Sequence, residues 1–202
     1  MLYVLVLIEP SLSAFGVAII DSKNKKIILD QFSSDNHHNF VLMCWSICNL
    51  YEDFYNKYNE YINEDLYVAQ EAPISSGINS GKLNALGIYF YTRLGELSSY
   101  HKIKTFHPIK LKVFHGKKGY NKKDTIDVVN NMLEIFKNKG YEIEIRYSRL
   151  KKSIEITDGE ADAFIYAVKA YVDLKCEIYD LIVDRYPSIY KVSSIESGMN
   201  YE

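Results

Sequence analysis

The sequence predicts an α/β domain in which a mixed five-stranded sheet, with its first three strands antiparallel, is flanked by helices on both faces. Three observations support this class. Three short apolar runs open the chain, and helical and strand-length segments alternate after them. The 202 residues are 48% hydrophobic and 25% charged, which is a globular composition. We expect residues 1–175 to form one domain and residues 176–202 to form a short helix and a polar tail.

The first three strands are predicted from apolar runs over residues 2–8, 14–20 and 27–32. Only a few turn-forming residues separate neighbouring runs, which is typical of hairpins. Two consecutive hairpins would make an antiparallel meander.

The later elements are predicted from spacing and from their end signals. Apolar residues recur at helical spacing in four segments, and Gly140 marks the end of the third. These helices cover residues 38–58, 82–100, 125–139 and 156–174. Further strands are predicted over 66–70 and 103–106, and residues 143–147 indicate either a strand or an extended loop.

Bulk properties exclude several classes of protein. The formal net charge is −2, so any nucleic-acid signal must be local. Cys44, Cys48 and Cys176 lack metal-ligand spacing and are interpreted as buried thiols in a reducing compartment. The apolar amino terminus has no basic flank and reaches Glu9 early, which is unlike a signal peptide. No apolar run is long enough to span a membrane.

Two strand ends carry single acids. Glu9 ends the first apolar strand, and Glu71 ends the fourth. A crossover would place these strands side by side and parallel, with both acids at the carboxyl edge, where open α/β sheets bind ligands. A surface acid at the end of a strand is the alternative interpretation of Glu71.

A third acidic group opens the last long helix. Asp158, Glu160 and Asp162 lie in its first turns, and Asp158 and Asp162 share one helix face. Small neighbours, Ala161, Ala163 and Ala167, would let the helix approach a sheet closely. Acids in the first turn of a helix also interact favourably with the helix dipole. That structural role is the alternative interpretation of this acidic group.

Together these acids indicate a metal site. Like charges in one cleft repel each other, and divalent cations with a preference for oxygen, such as Mg²⁺ or Mn²⁺, neutralise them. Two ions held in this way support phosphodiester hydrolysis, because one activates water and the other stabilises the leaving oxygen.

A lysine-rich loop, "KLKVFHGKKGYNKKD", is the local basic signal. Lysines beside flexible glycines suit contact with phosphates, although a solvated charged turn remains the alternative. The lysines concerned are Lys110, Lys112, Lys117, Lys118, Lys122 and Lys123.

Four segments in order resemble the RuvC-like Holliday junction resolvases, and more closely their bacteriophage-type relatives in the RNase H-like superfamily. The segments are "LIEPSLSAFGVAII", "VAQEAPISSGINSGKLNALGIYFYTRL", "HPIKLKVFHGKKGYNKKDTIDVV" and "DGEADAFIYAVKAY". The resemblance covers roughly residues 3–172. It implies an RNase H-like fold, two Mg²⁺ ions and a homodimer that cuts four-way DNA junctions symmetrically.

Carried over by position, the resemblance makes Glu9, Glu71 and Asp162 metal ligands. The family's first acid is normally Asp, whereas this chain has Glu9. The family has a further acid three residues before the last one, and here that position is Gly159. Asp158 is interpreted as the substitute for that further acid, because it shares the helix face of Asp162.

The resemblance also assigns contacts with DNA. Lys123 matches the family lysine near the site and is expected either to steady the charge of the transition state or to position the scissile phosphate. The loop after Glu71, which ends at Lys82, should face the junction. Relatives often stack an aromatic residue there, so an aliphatic wedge such as Ile74, or Tyr120 from the basic loop, is expected instead. The helix over 82–100 resembles the family's dimer helix.

Three functional hypotheses follow. The first is a metal-dependent endonuclease for Holliday junctions or related branched DNA, acting as a dimer in the cytoplasm of a bacterium or a phage-infected cell. The second is a less selective nuclease for flaps, forks or hybrids. The third is a junction-binding protein with weak cleavage, indicated by Glu9 and Gly159.

Overall fold

A computed structural model provides the fold. It describes residues 4–10, 14–33, 39–62, 66–71, 81, 84–85, 88–89, 92, 103–106, 122–146, 156–174, 178–186 and 194–196. The strands within these ranges are β1 Val4–Pro10, β2 Ala14–Asp21, β3 Lys26–Ser33, β4 Leu66–Glu71, β5 Ile103–Phe106, β6 Glu142–Ile145 and β7 Ser194–Glu196. The helices with described bounds are α1 Phe40–Ile62, α2 Lys122–Asn138, α3 Asp158–Asp173 and α4 Tyr179–Arg185.

The strands form one mixed sheet in the order β6-β3-β2-β1-β4-β5-β7. Strand β2 runs antiparallel to both of its neighbours, β1 and β3, so β1 and β3 point the same way. The β1–β4, β4–β5 and β3–β6 pairs are parallel, and β7 is antiparallel to β5. Helix α1 lies between β3 and β4 in the chain and makes the crossover that a parallel connection requires.

The expected number of five strands is wrong, because the described part of the sheet has seven. The two additional strands are the outermost ones, β6 and β7, with four and three residues respectively. Strand β6 has the sequence EIEI, and the pattern of its residues left a strand and an extended loop open. Strand β7 falls in a segment predicted to be polar turns. Sheet edges are often formed by very short strands that carry charged residues. Such strands give only a weak signal in the sequence.

Side chains alternate between the two faces of the sheet. Phe15 of β2 stacks on Phe32 of β3, with ring centroids 5.0 Å apart, and meets Phe54 of α1 edge-on at 6.0 Å. Ala18 and Ile20 of β2 lie on the opposite face of the sheet from Phe15 and belong to the core formed with α2 and α3. The sheet is therefore covered by α1 on one face and by α2 and α3 on the other.

The core on the α2 and α3 side combines aliphatic side chains with aromatic rings and alanines. The ring of Phe136 in α2 lies 5.9 Å from that of Phe164 in α3 and 5.6 Å from that of Tyr171. Ile178, which precedes α4, and Ile182, within α4, belong to the same core. These rings therefore pack α2 against α3, and the alanines of α3 belong to the same buried core.

Helix α2 ends where the glycine signal predicts. Gly140 has a φ of +83° and donates its N–H to Lys137 O, and Tyr141 N–H reaches Phe136 O. This left-handed C-terminal cap satisfies carbonyls that would otherwise lack partners. At its other end, α2 begins at Lys122, so Lys122 and Lys123 are helical rather than part of the predicted loop.

No helix among the described residues is long and apolar enough to cross a membrane.

Candidate active site

Positions 9 and 71 lie at the carboxyl ends of neighbouring parallel strands. The β1–β4 register pairs Ile8 with Gln70, so the next residues along, Glu9 and Glu71, stand side by side. In a parallel pair, residues in register belong to the same face of the sheet. The structure describes the backbone at both positions and not their side chains.

Glycine 16 connects these strand ends to helix α3. Gly16 is the register partner of Glu9 across the β1–β2 pair. A Cβ atom added to Gly16 would lie 2.0 Å from Gly159 O, and all three of its nearest contacts would be backbone atoms of Gly159. The first turn of α3 therefore rests directly on β2 at the level of position 9. Positions 9 and 71 belong to the face that α3 covers.

The amino terminus of α3 is held by a capping box. Thr157 Oγ1 accepts a hydrogen bond from Glu160 N at 3.0 Å, and Thr157 N donates to Glu160 Oε2 at 2.6 Å. Glu160 is only 2% exposed. Its carboxylate thus completes the helix end, which is a structural role.

Asp158 and Asp162 are the remaining acids of these first turns. Both are half-buried, and their spacing of four residues places them on one face of α3. Ala161, Ala163 and Ala167 are completely buried, in agreement with the small residues expected on this helix. Helix α3 contacts β2, β1 and β4, so it spans the two strands that carry Glu9 and Glu71 at or next to their last residues.

The donor set fits a hard divalent cation, because carboxylate oxygens are the ligands that Mg²⁺ and Mn²⁺ prefer. The candidate donors are Glu9, Glu71, Asp158 and Asp162. Among the residues whose side chains the structure describes, no three His, Cys, Asp or Glu residues converge closely enough to hold a metal ion. The side chains of Glu9 and Glu71 lie outside those that the structure describes.

Most of the predicted DNA contacts lie outside the described residues. Lys123 is described, and its side chain is exposed in the first turn of α2. Lys122 is described in its backbone alone. The predicted contacts outside the described residues are Ile74, Lys82, Lys110, Lys112, Lys117, Lys118 and Tyr120.

Sequence reasoning missed two residues that organise this region, Gly16 and Thr157. The signal for Gly16 was a single glycine inside an apolar strand, which often marks a close backbone approach. The signal for Thr157 was a Thr-x-x-Glu pattern before an apolar helix, which is a capping-box signature. Neither pattern by itself identifies the element on the other side of the contact.

Comparisons with known proteins place the fold. No protein-family model matches the sequence, and no curated protein matches it. The structure is similar to that of T. thermophilus RuvC in complex with a Holliday junction substrate, with a TM-score of 0.51 and 12% identity over 96% of this chain and 99% of that chain. A second structure of Thermus thermophilus RuvC has a TM-score of 0.46 and 13% identity over 95% of this chain and 99% of that chain. The first similarity shows that this chain has a RuvC-like fold.

Proposed function

We propose that this chain is a metal-dependent, structure-selective DNA endonuclease that resolves Holliday junctions or other branched DNA by paired phosphodiester hydrolysis. The observation that carries the proposal is the meeting of three elements at one point. The strand ends at positions 9 and 71 adjoin each other, and the α3 turn that bears Asp158 contacts β2 beside them. The RuvC-like fold supports the substrate class, since one similar structure is RuvC in complex with a Holliday junction substrate.

The proposed ligands of two Mg²⁺ ions, with Mn²⁺ as a substitute, are Glu9, Glu71, Asp158 and Asp162. When bound, the ions would activate water and stabilise the leaving oxygen of an in-line displacement. The contribution of the chain is to gather four carboxylates beside a sheet and a capped helix, so that they need little rearrangement during the reaction. Glu9 is one methylene longer than Asp, so its backbone must stand further from the ion that it holds.

Basic residues are proposed to hold the DNA. Lys123, exposed at the start of α2, is assigned to the scissile phosphate, where a cation stabilises charge in the transition state. The other lysines of the basic loop and Lys82 are assigned to backbone phosphates. Ile74 and Tyr120 are assigned to unpaired bases at the branch.

The proposal includes an assembly and a setting. A four-way junction needs two cuts, so a homodimer would supply one site for each. Residues 1–175 are proposed as the nuclease domain and residues 176–202 as a C-terminal helix and tail. The quoted sequence segments favour the bacteriophage-type resolvases, with action in the cytoplasm of a bacterium or a phage-infected cell.

A second candidate is a junction-binding protein with weak cleavage. It is favoured by Gly159, which lies where α3 meets the sheet and supplies no carboxylate at the position of the family's further acid. In that case Asp158 and Asp162 would bind metal too weakly for rapid turnover.

One experiment tests these functions. Labelled four-way, flap, linear duplex and RNA–DNA hybrid substrates are incubated with the full chain in Mg²⁺ or Mn²⁺, and binding and cutting are measured together. We expect paired, symmetric nicks in the four-way junction. Glu71→Gln should slow them by about 10²- to 10³-fold while junction binding persists. The change removes one ligand of the metal ions that would stabilise the charged transition state.

The matched control is Glu142→Gln, the same chemical change at an exposed position on edge strand β6. It should cut at the wild-type rate. Binding without cutting in either metal would leave only the second candidate. Equal cutting of linear duplex would contradict selectivity for branched DNA.

A further inference from the structure

Helix α3 and strand β2 meet through backbone alone at one point. The three atoms nearest to a Cβ built on Gly16 are the O, C and Cα of Gly159, at 2.0, 2.3 and 2.9 Å. Real Cβ contacts essentially never fall below 3.0 Å, and a backbone cannot rotate away as a flexible side chain can. A methyl group at position 16 would therefore separate strand and helix by about 1 Å.

This contact lies at the level of the candidate acids. Gly16 pairs with Glu9 in the sheet, and Gly159 is the residue that follows Asp158. Any separation of Gly16 and Gly159 is thus a change in the distance between the acids of α3 and those at the strand ends.

The amino-terminal end of α3 would move as a unit. The Thr157–Glu160 capping box closes its first turn, and Asp162 follows one turn later on the face of Asp158. A displacement at Gly159 would carry both aspartates with it rather than distort one side chain.

We propose that Gly16 is a positioning residue for the metal site: its missing side chain, together with the capping box, sets the distance from Asp158 and Asp162 to Glu9 and Glu71. This inference rests on the proposed function for the identity of the acids. It also gives a reason for the glycine at position 159, because that residue serves as the point of contact with the sheet. A site that is displaced by about 1 Å commonly loses about 10²-fold in rate.

The test compares Gly16→Ala with Val17→Ala. Val17 is also completely buried, and it adjoins Gly16 on the opposite face of β2, so its truncation destabilises the protein without touching α3. Below the unfolding temperature of both variants, single-turnover cleavage by Gly16→Ala should fall about 10²-fold, with junction affinity within about threefold of wild type. Val17→Ala should keep the wild-type rate. Wild-type cleavage by Gly16→Ala would overturn the inference.

Crystal structures of wild type and Gly16→Ala separate this inference from the proposed function. An α3 amino terminus about 1 Å further from β2 supports it even if the wild type cuts no substrate, and an unmoved helix overturns it. Failure of the wild type to cut overturns the proposed function instead.

Should Gly16→Ala fail to fold, Thr157→Ala tests the same device from the helix side. Its control is Asn39→Ala, which removes the cap of α1, where Asn39 Oδ1 accepts from Val41 N at 2.9 Å. The two cap losses should have similar effects on stability. Slower cleavage by Thr157→Ala alone supports the inference, and equal rates for the two variants overturn it.

Discussion

Asp30 is a buried carboxylate beside α1 whose hydrogen bonds depend on single residues of that helix. Asp30 is only 2% exposed on strand β3. It accepts hydrogen bonds from Tyr58 Oη at 2.6 Å and Lys57 Nζ at 2.7 Å, and from the backbone N of Gln31 at 2.9 Å. Because a buried carboxylate is costly without partners, these bonds explain why α1 carries Lys57 and Tyr58 next to this strand. Burial raises the pKa of the Tyr58 hydroxyl, so that it remains a donor.

Glu144 provides a prediction about pH. A hydrogen bond from Arg146, and then one from Lys26, lowers the pKa of its carboxyl from 4.5 to about 2. A depressed pKa in the folded state stabilises the protein above pH 4.5, and that contribution is lost as the pH falls toward 2. We expect Glu144→Gln to reduce the free energy of unfolding by up to about 1 kcal/mol at neutral pH, since the side chain is partly exposed to solvent.

The measurement is urea unfolding of wild type and Glu144→Gln at a series of pH values. The difference between them should shrink as the pH falls toward about 2 and disappear below it. Glu134→Gln, in an exposed pair with Lys137 on helix α2, is the control and should show a smaller difference at neutral pH. A difference for Glu144→Gln that stays constant from neutral to acid pH would contradict the assignment.

Helix ends are the features that local sequence specified best at the scale of elements. Gly140 ends α2 in the left-handed conformation, and Thr157 with Glu160 begins α3. Each cap depends on residues within a few positions of one another, so it can be read from a short window. The packing of α3 on the sheet depends on both its small residues and the strand beneath it.

Two glycines with open surroundings yield a prediction about helix α2. A Cβ added at Gly140 or at Gly81 would meet no atom within 4 Å, but only Gly140 has a positive φ, +83°. Gly140→Ala should therefore cost about 1 kcal/mol through backbone strain alone. Gly81→Ala, at a helical position, should be neutral or stabilising by up to about 1 kcal/mol.

Chemical denaturation of both variants measures these changes in the free energy of unfolding, provided that the denaturant slopes are equal. Equal effects from the two alanines would show that φ does not govern the end of α2.

Charge is the property of the whole molecule that most constrains its proposed role. The net charge is −2, so attraction to DNA must come from a local patch. Each phosphate contact adds about 0.9 to the slope of log affinity against log salt. We expect the double change Lys117→Ala and Lys118→Ala to reduce that slope by about 2 for a four-way junction.

The control is the double change Lys23→Ala and Lys139→Ala, which removes the same charge from exposed positions outside the basic loop. Junction affinity is measured by titration at several salt concentrations. The control should leave the slope unchanged, and equal slopes for both doubles would mean that the basic loop does not hold phosphate.

Local patterns in the sequence determined most of the elements. The apolar runs of β1 to β5, the helical spacing of α1 to α3 and the stop at Gly140 all correspond to described elements. The crossover argument also placed β1 beside β4, as the register shows. These features were predictable because periodicity and end signals act within one segment.

Only the tertiary structure decided how distant segments meet. It added β6 and β7 at the sheet edges and placed Gly159 against Gly16. Residues 16 and 159 lie far apart in the chain, and no local periodicity encodes which backbone atoms will touch. That contact depends on strand register, helix tilt and close packing together, which exist only once the whole sheet is assembled.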